Sequence, residues 1–332
     1  MIKRLGYIDA LRGITMLLVI FSHVELFTFG VVYTESLINS FFVTFRMPLF
    51  FFISGFIAYK KVVWDKAYYI QMLKKKSKIQ ILPTLFFYFL FYCICGAETP
   101  LSIFYKGPQG YWFTLTLFYM FFIYYTIMYL SECLSSRYKD YIGALIYIGG
   151  MKYYNLWRNP ILCLIYLSRY FEFFILGIFC RKYYSVFERY ISSERVKSVL
   201  ILSWLLCFII AWNETIIGLT LIHIFNLEFL LRYLGLFSVF ALFYHYRNTF
   251  DSENRIVRGL RFIGRRTLDI YLLHYFFLPD LKSFASSYSF IFTPQNTVIE
   301  LGVGLSFSIV IVLMCLGVSA IIRSSPLLGH YL

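Results

Sequence analysis

Apolar residues along this chain fall in long unbroken blocks instead of a period-two alternation or a narrow helical stripe. The blocks are separated by short segments carrying lysine, arginine, glycine or proline. A run of about 17–25 apolar residues is long enough to cross the hydrocarbon core as a helix. The pattern predicts ten spans, at roughly 8–29, 41–60, 79–96, 111–131, 141–151, 161–180, 198–213, 220–246, 262–281 and 296–322. The 141–151 block is short for a crossing, and 220–246 is long enough to be tilted or broken. The expected fold is an all-α polytopic membrane protein, a bundle of about ten transmembrane helices. No internal repeat, long polar linker or soluble domain at either end interrupts it, so residues 1–332 read as a single membrane domain.

Composition supports this class: 60% of the 332 residues are hydrophobic and 14% charged, against about 25% charged in soluble domains. The basic residues then set an orientation. With Met1 on the cytoplasmic side, 23 of the 31 lysines and arginines fall in intracellular segments. Lys106, Lys152, Arg158 and Lys282 fall on the other side, and Arg12, Arg46, Arg169 and Arg232 lie near or inside spans. That asymmetry is what the positive-inside rule demands, and it places both termini in the cytoplasm. The net charge of +14 is therefore mainly an orientation signal, which argues against nucleic acid as a partner, although it would favour an anionic cytosolic ligand. The basic clusters at 60–78 and 247–266 suit the membrane surface and its anionic lipids. No small-residue cleavage pattern follows the first apolar run, which is expected to remain as a helix. The seven cysteines are odd in number and show no CxxC spacing, so neither a disulfide framework nor a metal site is expected.

Chemistry must then lie within the spans. In YIDALRGITMLLVIFSH, Arg12 and His23 stand eleven residues apart. Eleven steps of about 100° come within roughly 20° of three full turns, and at about 1.5 Å per residue they cover ~16 Å. The two side chains share one helix face at different depths, and ionisable groups inside a membrane are functional candidates by default. Arg12 can hold a phosphate or carboxylate through paired charge-assisted bonds, or can cap the helix with Asp9 at i, i+3. His23 can serve as a general base, or can be a buried histidine bonded to a backbone carbonyl. A base would benefit from a carboxylate that orients its ring, and Glu25, Glu172 and Asp269 are the candidates. Glu25 is rotated about 200° from His23 on a helix, and Glu172 can equally pair with Arg169.

Other polar positions are read the same way. Arg46, at the start of the second span, can meet an acceptor or a developing oxyanion, or can snorkel to headgroups. Ser54 and Gly55 suit close helix packing. Trp112 opens the fourth span as an interfacial belt residue or a sugar platform. Tyr271 and His274 can share a polar stripe, with Arg265 and Asp269 one turn apart, and Glu228 with Arg232 forms an i, i+4 pair.

Five segments, YIDALRGITMLLVIFSH, FRMPLFFFISGFIAYKK (45–61), YWFTLTLF (111–118), RYFEFFILGIFCRK (169–182) and FIGRRTLDIYLLH (262–274), resemble the membrane acyltransferase-3 family in the same order along the chain. The family's arginine, ten residues, histidine signature matches Arg12 and His23. The resemblance implies an integral membrane acyltransferase of the short form, lacking the additional periplasmic domain of some members. It implies transfer of an acyl group, commonly acetyl from acetyl-CoA, to a hydroxyl of an exported or cell-surface glycan, in a bacterial cytoplasmic (inner) membrane. The expected partners are then acyl-CoA as co-substrate, a carbohydrate acceptor and membrane lipid, with no permanently bound cofactor. Within that implication His23, Arg12 and Glu172 are the catalytic candidates; Arg12, Arg265 and Arg266 hold the CoA phosphates; and Arg46, Tyr271, His274 and Trp112 face the acceptor. Succinyl transfer is the alternative within the enzyme class, and export or flipping of a glycan or lipid-linked intermediate the alternative outside it.

Overall fold

The structure, a computed structural model, describes residues 5–95, 110–133, 163–217, 227–287 and 296–325. Every regular element among them is helical. Seven helical stretches are long and apolar enough to cross a membrane: Gly6–Phe29, Leu37–Ala58, Lys66–Ile94, Trp112–Cys133, Glu194–Asn213, Leu227–His245 and Thr297–Ser324. They coincide with seven of the predicted spans. The expected span at 141–151 lies outside the described residues, as does the first part of 220–246. The 161–180 block is a helix, Leu164–Lys182, but its Arg169, Glu172, Arg181 and Lys182 leave it outside those seven.

One expected span is corrected. Residues 262–281 do not form a continuous crossing helix: one helix ends at Arg265, a second covers Thr267–Leu273, and a 3-10 turn covers His274–Phe277. Arg266 leaves helical geometry with φ −111° and ψ 19°. Leu278 is extended ahead of Pro279, where the ring of a proline disfavours helix in the preceding residue. The basic segment at 60–78 is also more regular than a surface cluster, because a helix capped by the Asp65 carboxylate on the Tyr68 amide (2.7 Å) continues into the apolar run that follows.

The described residues divide into two compact units, within Met1–Ile53 and Tyr183–Val318, and within Ser54–Lys182 and Ser319–Leu332. In the first, α1 (Gly6–His23) continues as a π-helical turn, Val24–Phe29, that closes on Gly30 at φ 76°. Short α2 (Leu37–Val43) and α3 (Arg46–Ala58) follow, α3 belonging to this unit up to Ile53 and to the second from Ser54. The break between them falls at Thr44–Phe45, and Pro48 explains it, since a proline ring collides with the carbonyl four residues earlier.

The rest of this unit comprises α8 (Tyr184–Ile191), α9 (Glu194–Ile217), α10 (Leu227–His245), α11 (Arg247–Phe250), α12 (Arg255–Arg265), α13 (Thr267–Leu273), α14 (Lys282–Ser287) and most of α15 (Thr297–Ser324). Aromatic packing joins these elements. Tyr7 meets Phe240 and Tyr244 edge-on, and Phe41 stacks on Trp204 at 4.4 Å. The Trp204 indole N–H donates to Thr44 Oγ1 at 3.2 Å. The expected Glu228–Arg232 ion pair is present.

The second unit contains α4 (Lys66–Lys76), a π turn at Ser77–Ile81, α5 (Leu82–Cys95), α6 (Trp112–Cys133) and α7 (Leu164–Lys182). Trp64 is buried against Tyr68, Tyr124 and Tyr125. Thr84 bonds Thr114 at 2.7 Å, and the Lys76 ammonium sits 3.4 Å over the Phe121 ring, a cation–π contact. Gly55 meets α7 so closely that a Cβ there would lie 1.9 Å from the Phe174 carbonyl oxygen, which is the close packing its sequence context suggests.

Exposed apolar side chains cover the outward faces of α9 (Leu202, Leu206, Ile209) and α15 (Val298, Leu313, Ile321). In water such continuous apolar faces would be a liability, whereas in lipid they are the expected exterior.

The tightest approach in the first unit is between α1 and α12. A Cβ on Gly13 would lie 2.1 Å from the Leu260 carbonyl oxygen, and one on Gly264 would lie 1.8 Å from that of Asp9. Both obstacles are backbone atoms, so neither can swing aside. On the same helix, a Cβ on Gly259 would meet no atom within 4 Å. Gly264→Ala is expected to cost about 1–3 kcal/mol from overpacking, whereas Gly259→Ala gains up to ~1 kcal/mol from helix propensity. Thermal unfolding of the two variants in detergent should shift in opposite directions.

Candidate functional site

The close α1–α12 crossing brings the first helix against the whole segment 265–275. At one end the buried Asp9 carboxylate accepts from Arg265 Nε at 3.1 Å. One turn further along α1, Arg12 Nη2 donates to Thr267 Oγ1 at 2.7 Å. At the other end of the helix, His23 Nδ1 lies 2.8 Å from His274 Nε2. Arg12 and His23 therefore look toward one neighbouring stretch, Thr267 to His274, as their eleven-residue spacing predicts.

Enclosure differs between the two histidines. His274 is fully buried, and its Nδ1 lies 2.8 Å from the Tyr271 carbonyl oxygen and 3.2 Å from that of Ile270. The His23 ring is half-buried, with Phe27 at 5.7 Å and Tyr275 at 5.3 Å between centroids. The planes of His23 and His274 lie within 12° of each other, with centroids 5.0 Å apart. Rings piled face to face keep their atoms at least about 3.5 Å apart, so the 2.8 Å nitrogen contact puts these two edge to edge, in line for a hydrogen bond.

A second polar group lies on the same helix. Glu25, in the π-helical turn two residues beyond His23, and Glu300, on α15, are both completely enclosed. Glu25 lies beside Glu300, Asn39 and Arg46. Asn39 Oδ1 accepts from the Ser22 hydroxyl, and Arg46 Nη1 donates to the Leu18 carbonyl at 3.4 Å. Two carboxyls without water repel unless a cation or a proton compensates; the Glu25–Glu300 contact is the larger influence on Glu25 and the nearby Arg46 guanidinium the smaller. Arg46 opens α3, as its expected place at the start of a helix suggests, and its side chain turns toward α1.

The remaining predicted residues are placed as follows. Arg265 pairs with Asp9, and Arg266 Nη1 with Asp269 at 3.3 Å, so Asp269 serves an arginine. Tyr271 is buried, with its ring 5.9 Å from that of His274 and its carbonyl bound to it. Glu172 and Trp112 belong to the second unit. Glu172 is buried on α7, and Trp112 stacks on Tyr166 at 4.1 Å and on Tyr170 at 5.8 Å. The place beside His23 that a carboxylate was expected to fill is taken by His274. Sequence reasoning named His274 only as an acceptor contact, and it passed over Glu300 altogether. An intramembrane carboxyl in the last apolar block was itself a signal for Glu300. Nothing in the sequence joins position 23 to position 274.

Among the described residues no group of three or more histidine, cysteine or acidic side chains could hold a metal ion. The assembled chemistry is an imidazole with one edge held and part of its surface open, an arginine three helical turns away on the same face, and a buried acidic pair. No curated protein and no solved structure gives a significant match. The profile of the acyltransferase-3 family, described as an acyltransferase domain, matches residues 5–321. With nearly the whole chain matched, helices fit to span a membrane and the arginine–histidine face in place, this protein belongs to the acyltransferase-3 family of membrane acyltransferases.

Proposed function

We propose that the protein moves an acetyl group from cytosolic acetyl-CoA to a hydroxyl of an exported or cell-surface glycan, at a bacterial inner membrane, with His23 as the general base. The observation that carries this reading is the His23 ring, held at Nδ1 by His274 and partly open, on the same face as Arg12. A base must be fixed in orientation yet reachable by its substrate, and this imidazole meets both demands.

The chemistry follows from the residues. As the acceptor oxygen attacks the thioester carbonyl, His23 takes the hydroxyl proton. As the carbon–sulfur bond breaks, it returns that proton to the leaving thiolate, so the reaction is proton-neutral. Arg12 supports the donor: its bond to Thr267 orients the guanidinium, and a planar fork of N–H groups suits phosphate. The ~16 Å between Arg12 and His23 along the helix is comparable to an extended pantetheine arm. Arg265 and Arg266 add positive charge at the Arg12 end. Arg46, on the same unit as His23, stabilises developing negative charge. Transfer is direct, through a ternary complex, because the neighbouring hydroxyl of Ser22 is engaged with Asn39 and Leu18 instead of His23.

The test is binding and turnover of radiolabelled acetyl-CoA by protein in nanodiscs. His23→Ala is expected to bind the donor normally and to lose about 10²–10⁴-fold in turnover. Arg12→Ala is expected to weaken donor binding by about tenfold or more, the scale of a lost charge-assisted bond. Preference for succinyl-CoA would revise the donor, and failure to bind either CoA would overturn the reading. The paired arginines should matter less. Arg265→Ala and Arg266→Ala are expected to weaken binding only a few-fold, with an effect that fades as salt rises from 0.05 to about 0.5 M.

A further inference from the structure

Resting on the reading of His23 as the base, we infer that His274 is a positioning residue: its hydrogen bond to His23 fixes the tautomer of that ring and assigns the proton-accepting role to His23 Nε2.

The argument starts at the carbonyl end of the chain of bonds. A backbone carbonyl oxygen can only accept, so the contacts of His274 Nδ1 with the oxygens of Tyr271 and Ile270 require a proton on that nitrogen. A neutral imidazole carries one ring proton. With Nδ1 protonated, His274 Nε2 presents a lone pair. Placing a second proton there would put a full charge on a ring with no exposed surface, which is costly. His23 Nδ1, 2.8 Å away, must therefore be the donor in the pair. Its one proton is committed there, and the lone pair of neutral His23 falls on Nε2, across the ring from His274.

The arrangement does the work a carboxylate does in other histidine-based sites, with a different balance. When Nε2 takes the hydroxyl proton, the resulting imidazolium keeps its Nδ1–H bond to a neutral acceptor, and that bond becomes charge-assisted. A neutral partner stabilises the cation less than a carboxylate would, so it orients the base without holding its proton after transfer. Return of the proton to the thiolate is correspondingly easier. The enclosure of His274 also secures the geometry. It follows α13 directly, and both its bonded carbonyls come from that helix, so its ring direction is set by local backbone.

Nitrogen-15 NMR of histidine-labelled protein in nanodiscs tests this directly. The chain has five histidines, so single substitutions assign the signals. At a pH where His23 is neutral, the wild-type spectrum should show its Nδ1 as the protonated nitrogen and its Nε2 as the bare one. His274→Leu should remove that preference and lower turnover by about tenfold or more, leaving acetyl-CoA binding within about twofold. His274→Gln, whose amide oxygen can accept from Nδ1, should retain the tautomer and recover most of the turnover. A wild-type spectrum with the proton on His23 Nε2 overturns the inference, whatever the activity. So does a His274→Leu variant with unchanged tautomer and turnover. A spectrum with the expected tautomer in a protein that neither binds nor turns over acetyl-CoA supports the His274 bond and instead overturns the acyltransfer reading of the base.

Discussion

A polar side chain inside a bilayer has no water to fall back on, so it must find its partner on a neighbouring helix. On α1, Asp9 and Arg12 at one end and His23 at the other answer that demand through a single segment between Arg265 and His274. That segment cannot be an ordinary spanning helix and also supply these partners. It is interrupted at Arg266, which redirects Thr267 toward Arg12, and it ends in a tight turn that holds His274 against His23. The irregular backbone is tolerated because it lies against protein, where its carbonyls find donors such as the His274 ring itself.

Such an alignment needs close helices. Ordinary side chains hold helix axes about 8–10 Å apart, whereas Gly13 and Gly264 let the backbones of α1 and α12 touch. The short Thr267 hydroxyl can meet Arg12 only because of that proximity. Packing and chemistry are thus one design, and loss of a glycine remote from any reacting atom would be felt at the base.

Much of this was legible in the sequence. Block length and charge asymmetry define a polytopic helical membrane protein, and helical periodicity alone sets Arg12 and His23 on one face. What was not legible depends on pairing between distant segments. A helix wheel ranks Glu25 as facing away from His23 but cannot reveal that it meets Glu300. Likewise, a search for a carboxylate beside His23 follows from precedent in other histidine sites, whereas the occupant is a second imidazole 251 residues away. The run 262–281 reads as a span because apolarity outweighs punctuation in a block count. The signs of its interruption, Gly264, the Arg265–Arg266 pair and Pro279, were all present.

The π-helical turn at Val24–Phe29 carries a consequence of its own. A π turn accommodates one residue more than the α-helix around it, so α1 up to His23 and the stretch from Glu25 onward keep separate angular registers. The histidine can face segment 267–274 while the following carboxyl faces α15, without either compromising for the other. The proton-handling end of the helix and the buried acidic pair thus meet at one wide turn, each with its own facing direction.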